Sequence, residues 1–165
     1  GVALLIAILL SPTNGVLGRV IRTVKLRIRI CAEDVLAGLF RQQERSESPD
    51  LAAVASSGEC HQMAGGGVLA NAALRWLRSR RLLMGDGKRM SLTDRGMNYA
   101  RSLVRSHRLW EAYLQEHFDL NADHLHDPAE DMEHFIGPEL QQRITEELAA
   151  PAEDPHGRTI PLMDE

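Results

Sequence analysis

The sequence predicts a mainly α chain: a winged helix-turn-helix with a small β-hairpin wing, followed by an all-α segment. Three observations carry that expectation. Apolar residues recur at helical spacing through most of residues 32–149. A triple-glycine break, Gly65-Gly66-Gly67, separates two of the helical stretches. Two short segments that read as strands, Leu82-Leu83-Met84 and Arg89-Met90-Ser91-Leu92, flank Asp86-Gly87 directly after the second stretch, and an Asp-Gly dipeptide accommodates the positive φ of a tight hairpin.

The chain opens in an apolar run, Gly1 to Leu10, followed by Ser11-Pro12-Thr13-Asn14-Gly15 and then by Arg19, Arg22, Lys25, Arg27 and Arg29. Ten apolar residues reach about half way through a bilayer core, for which a helix needs about 20. Basic charge placed after the apolar run is the order found at the cytoplasmic end of a membrane span. Residues 1–29 therefore read as the end of a transmembrane helix and a basic juxtamembrane segment; the alternative is an apolar core helix of a soluble protein.

A winged-helix domain is expected over residues 30–95. Val35, Leu36, Leu39 and Phe40 give a helix from Ala32 to Arg41, with Glu33 and Asp34 in its first turn, where the helix dipole favours acids. Residues 42–50 are a polar connection, and Asp50 can cap a short helix over 51–56. A second helix runs from Val68 to Arg80, and the wing is made by 82–84 and 89–92. Thr93 caps a long helix from Asp94 to about Phe118, which opens a second domain over 96–161 ahead of a short tail, 162–165. Asp127-Pro128 starts a short helix. Gly137-Pro138 ends it and begins another, Glu139 to Ala149, whose Leu140, Ile144 and Leu148 form a narrow apolar stripe.

Composition excludes several function classes. At 165 residues, 44% hydrophobic and 25% charged, the chain can bury a real core. Its two cysteines, Cys31 and Cys60, make neither a disulfide framework nor a thiolate zinc site. An aromatic content of 4% argues against a stacking platform for single-stranded nucleic acid. The net charge of −4 hides an asymmetry: residues 1–32 carry +5, residues 33–115 carry +3 and residues 116–165 carry −12. Such a chain meets anions at its basic end and cations at its acidic end.

Spacing gives the acidic end its chemistry. Glu130, Glu133 and His134 share one face of the short helix, and His107 and Glu111, four apart, share one face of the long helix. Either cluster alone describes a solvated helix face or a satisfied core histidine. Together, without a thiol in either, they can converge on a divalent cation, and carboxylates with imidazole suit Mn²⁺ or Fe²⁺, with Zn²⁺ also accepted. An enzyme is not expected, because no HExxH sequence is present and no glycine-rich phosphate loop follows a strand.

Three stretches, Arg105–Leu114, His126–His134 and Asp154–Pro161, resemble the metal-binding and dimerisation domain of the DtxR/MntR family of metal-dependent repressors. The likeness covers roughly residues 32–161. It implies metal ligands at Asp34, His107, Glu111, Glu130, Glu133 and His134, with His126 at an ancillary position, and a homodimer. Glu130 stands where the iron-responsive branch has cysteine, as in the manganese-responsive branch, and Ala37 stands where that branch supplies a further carboxylate.

In such repressors the recognition helix reads bases from its first turn. Here that helix follows three glycines, and Asn71 is the side chain able to read a base edge. Arg75, Arg78, Lys88 and Arg89 belong to a stretch, 75–108, holding ten basic residues against Asp86 and Asp94. Such a surface can hold DNA phosphates without reading sequence, or lie against anionic lipid. The apolar start and basic stretch running into this domain resemble the C-terminal end of manganese/zinc/iron ABC transporter permeases that carry a fused domain of this kind. The expectation is a metal-sensing regulatory module at the cytoplasmic face of the inner (plasma) membrane; the alternative is a cytoplasmic, metal-dependent DNA-binding repressor.

Overall fold

The computed structural model describes residues 16–46, 54–86, 88–118, 125, 129 and 132–162. Its elements are α1 (Val16–Glu44), β1 (Ala55–Ser56), α2 (Ser57–Met63), α3 (Gly67–Ser79), β2 (Leu83–Gly85), β3 (Arg89–Leu92), α4 (Asp94–His117) and α5 (Pro138–Glu147). The mainly α winged-helix expectation holds, with one more strand than the sequence suggests.

Helix α1 begins at Val16, not Ala32, and runs without a break through the 29/30 position. Nothing in residues 16–31 breaks a helix, since Gly18 is the sole glycine and no proline occurs. Its C-terminal half is the centre of the first core: Ala32, Val35, Leu36 and Leu39 are fully buried against α3 and α4. A buried leucine contributes about 1.5–3 kcal/mol, so these residues fix α1 in place on apolar packing alone.

The short helix expected over 51–56 lies elsewhere. Residues 51–53 are outside the described residues, Ala55–Ser56 form a strand, and the helix is α2. Ser56 caps it through a capping box: its Oγ accepts from the Glu59 N–H at 3.2 Å, and the Ser56 N–H donates to Glu59 Oε2 at 2.7 Å. Sequence reasoning with Asp50 as the cap misses this Ser56-x-x-Glu59 signature.

The sheet order is β1-β3-β2, antiparallel throughout, with Leu83 opposite Leu92 and Ala55 opposite Met90. Asp86 Oδ1 closes the wing turn by accepting the Lys88 and Arg89 N–H groups, each at 2.9 Å. Thr93 joins wing to helix. Its Oγ1 accepts from the Gly96 N–H at 3.0 Å and donates to the Arg81 carbonyl at 2.8 Å. Gly96 is required by close approach, because a Cβ there would sit 2.0 Å from the Leu82 carbonyl oxygen.

A second, smaller core joins α4 to α5 and the C-terminal segment through Leu109, Ile136, Ile144 and Ile160. Of the stripe on α5, Ile144 is thus buried within its own chain, whereas Leu140 faces outward. Arg108, also buried, clamps this segment to α1: it donates to the Thr159 carbonyl at 2.6 Å and to both oxygens of Glu44, at 2.9 and 2.6 Å.

Candidate metal centre

The site lies where the buried half of α1, the middle of α4 and residues 132–134 meet. Glu33 and Asp34 come from α1, His107 and Glu111 from α4, and Glu133 and His134 from the turn that leads to the α5 cap at Gly137. Five of the six side chains are inside the protein: Glu33 and Glu111 are 0% exposed, His107 1%, Glu133 2% and His134 6%. Asp34 is 32% exposed in its side chain, so the cluster opens to solvent on the α1 side.

The groups are held by one another. His134 Nε2 lies 3.3 Å from Asp34 Oδ1, and its Nδ1 lies 2.9 Å from Glu33 Oε2. Glu33 also accepts from Arg29 Nε at 2.8 Å and from the Tyr99 hydroxyl. Arg29 reaches further, donating to the His134 carbonyl at 3.0 Å. Glu133 Oε2 accepts from Arg41 at 3.0 Å and lies 2.7 Å from His107 Nδ1, whose Nε2 in turn lies 3.1 Å from Glu111 Oε1. The outcome is a primary group, Asp34, Glu133 and His134, with the His107–Glu111 pair joined to it through Glu133.

Burial and pairing compete in setting the protonation states. Burial pulls the His134 imidazole toward neutrality, and hydrogen bonds to Asp34 and Glu33 with the Glu133 charge more than reverse this, raising its pKa from 6.5 to about 9. His107 is likewise raised, burial being outweighed by Glu111 and Glu133. Burial pushes Glu33 up, yet hydrogen bonds from His134, Tyr99 and Arg29 leave it below the usual carboxylate range. Tyr99 is pushed up to about 12 by burial and by its bond to Glu33.

The donor set fits a divalent ion. One ligand atom from each of Asp34, Glu133 and His134 can be chosen so that all lie within 4.8 Å of one another. Two ligands on one ion with bonds of about 2.0–2.2 Å stand at most about 4.4 Å apart, so small side-chain shifts close the set. The remaining neighbours are those a metal site needs outside its ligands. Glu33 takes the second ring nitrogen of His134 and fixes its orientation, as carboxylates do for metal-binding histidines.

Glu130 and His126 lie outside the described residues. Sequence reasoning missed Glu33, Arg29, Arg41 and Tyr99. In a helix that starts at Ala32, Glu33 is a first-turn acid; α1 starts sixteen residues earlier, and in the middle of a helix a buried glutamate beside Asp34 needs partners. His156 is a further addition, its Nε2 lying 3.7 Å from Glu111 Oε1.

The side chains considered for DNA are all on the surface. Asn71, Arg75, Arg78, Lys88 and Arg89 are exposed along α3 and the wing. Gly65, Gly66 and Gly67 each take φ of +74°, a left-handed run that supplies the turn between α2 and α3 and leaves the first turn of α3 without a polar side chain, its Val68 being 82% exposed. The Asn71 amide is turned back onto the Gly67 carbonyl at 3.3 Å, and Arg78 donates to Met90 Sδ at 3.1 Å.

Residues 93–162 match the family model of the iron dependent repressor, metal binding and dimerisation domain. This match, together with the relatives and the solved structure below, supports a DtxR/MntR-family domain in this chain. It is 26% identical over 133 residues to the diphtheria toxin repressor of Corynebacterium diphtheriae, covering 81% of this chain and 57% of the repressor. It is 48% identical over 71 residues to a probable metal transport system membrane protein of Chlamydia trachomatis, covering 43% of this chain and 16% of that protein. Among solved structures, a manganese-dependent transcriptional repressor in complex with manganese is similar at a TM-score of 0.68 and 32% identity, over 79% of this chain and 58% of the repressor. The chain therefore spans less than three-fifths of the repressors and about a sixth of the transport protein. Among the described residues, no helix is long and apolar enough to cross a membrane.

Proposed function

We propose that this chain is a metal-sensing regulatory module of the DtxR/MntR type, at the cytoplasmic face of a metal ABC transporter permease, binding Mn²⁺ or Fe²⁺. The observation that carries the metal reading is the convergence of Asp34, Glu133 and His134 from two separate parts of the fold. Asp34, Glu133 and His134 would hold the ion, Glu130 would be a further ligand, and His107 with Glu111 would support Glu133 or hold a second ion. The ion supplies positive charge to a segment of net −12. Because His134 carries a proton in the metal-free state, the chain exchanges that proton for metal. The manganese-bound state of the repressor similar in fold, and the Chlamydia protein named for metal transport, support the reading. Leu140 and Phe135, both exposed on the second domain, suit a homodimer.

The test is calorimetric titration of the chain with Mn²⁺. Glu133→Ala and His134→Ala should each abolish or greatly weaken binding; unchanged affinity in both would remove the site.

A second reading, a metal-dependent DNA-binding repressor, is favoured by the winged-helix arrangement of α2, α3 and the wing. The two readings part at the start of α3. Three glycines and an Asn71 amide engaged with its own helix leave little to read a base edge. Gel shifts decide between them: metal-dependent, nanomolar binding to one operator at physiological salt would establish the repressor and remove the permease module.

A further inference from the structure

The sixteen residues of α1 ahead of its buried half make a face that the domain does not cover. Leu17, Val20, Ile21, Val24, Ile28 and Cys31 recur at three- and four-residue intervals and so form one stripe along the helix. The lower end of that stripe is half-buried: Ile28 and Cys31 pack on the first core. The upper end is not. Leu17 is 49% exposed, Val20 51%, Ile21 45% and Val24 40%. Round the other side stand Arg19, Arg22, Lys25 and Arg29, all exposed, and no acidic residue occurs between Val16 and Ala32. At 1.5 Å per residue the protruding stretch is about 20 Å long.

A helix of this kind has too many charges to cross a bilayer and too much exposed apolar surface to stand in water unaccompanied. The occupant that satisfies both faces together is the surface of an anionic bilayer, with the apolar stripe at the acyl boundary and the cations among the headgroups. A duplex DNA offers phosphates to the cations and nothing to the stripe. We infer that residues 17–28 of α1 form an amphipathic, lipid-surface-binding helix that lays the domain against an anionic membrane. This deepens the membrane-module reading and rests on it. It also gives the lipid a direct route to the metal centre, because Arg29, the last cation of the basic face, bonds Glu33 and the His134 carbonyl.

The experiment is co-sedimentation of the Mn²⁺-loaded full chain with vesicles of phosphatidylcholine alone and with added phosphatidylserine. Two variants accompany it, Arg19→Gln/Arg22→Gln/Lys25→Gln and Val20→Ser/Ile21→Ser/Val24→Ser, with Mn²⁺ titration showing that each is folded. The wild-type chain should prefer the anionic vesicles. Removing three cations should weaken that partition by about a hundredfold, at about fivefold for each charge, and the serine variant should lose it as well. Equal partition of all three chains would overturn the inference while leaving the membrane-module reading standing, since the apolar run at 1–10 could then be the anchor. Loss of random-duplex binding in the charge variant with vesicle binding intact would likewise overturn it, assigning the basic face to DNA.

Discussion

The buried ionisable cluster and the exposed basic surface of α3 and the wing occupy the same fold and follow opposite rules. In the cluster, Glu33, Glu111, Glu133, His107 and His134 are buried, and each touches another ionisable group within 3.1 Å. On α3 and the wing, every side chain of interest is exposed, and the helix start is glycine. Burying that many titratable groups is costly unless a partner or an ion compensates them, so their presence marks a site that the chain maintains. Exposed arginines cost nothing to keep and specify little. The difference teaches that this fold spends buried, mutually held groups on one cluster and presents only exposed cations along α3 and the wing.

The largest effect that sharpens this contrast is on the ligands themselves. Truncating Glu133 or His134 should lower Mn²⁺ affinity by more than about 100-fold, beyond the range of outer-shell changes, whereas Arg75→Ala or Arg78→Ala should leave it unchanged; calorimetry on the four variants checks both halves.

Next comes Glu33→Gln. It keeps the shape of the side chain and removes the charge that orients His134 through Nδ1, so Mn²⁺ should bind about 10–100-fold more weakly without loss of fold. Wild-type affinity in this variant would mean that Glu33 serves packing alone.

The pH dependence has a defined sign. With the His134 pKa raised to about 9, its pairing stabilises the metal-free fold fully below about 6.5, and this is lost as pH rises through about 9. Metal binding runs the other way: the proton must leave, so affinity should climb by up to about tenfold per pH unit over that window. Thermal melts of the metal-free chain should therefore fall with rising pH while Mn²⁺ affinity increases. A flat affinity between pH 6.5 and 9 would exclude His134 as a ligand.

The smallest effect concerns DNA. Duplex binding through exposed arginines should be insensitive to sequence and steeply salt-dependent, and Arg75→Ala or Arg78→Ala should each lower the salt slope by about 1. Gel shifts over a salt series measure it.

How much of this was legible beforehand follows from the same contrast. The periodicity of α3, the Thr93 cap of α4 and the Asp86 turn are local signals, and those elements stand where the sequence put them. His107 with Glu111 was legible as a same-face pair because its spacing is local too, and Glu133 and His134 were legible as candidates through their spacing from Glu130, which lies outside the described residues. The partners of those groups were not. Arg29 and Arg41 meet residues about a hundred positions away, at separations set by the packing of α1 on α4 and invisible to any periodicity. The strand β1 is two residues long and exists by pairing with β3, so no run of β-branched residues announces it. The early start of α1 was hidden by reading its basic residues as a juxtamembrane segment when they also make a regular amphipathic helix.

The central claim is that one ion joins α1 to the second helical segment, and Asp34 is the ligand that makes it so. Mn²⁺ titration of Asp34→Ala beside the wild-type chain tests this most directly, because Asp34 is partly exposed and its loss leaves the core intact. The account predicts a primary site filled by one ion per wild-type chain and a fall in its affinity of at least about tenfold in the variant. Identical affinity and stoichiometry in the two chains would contradict it.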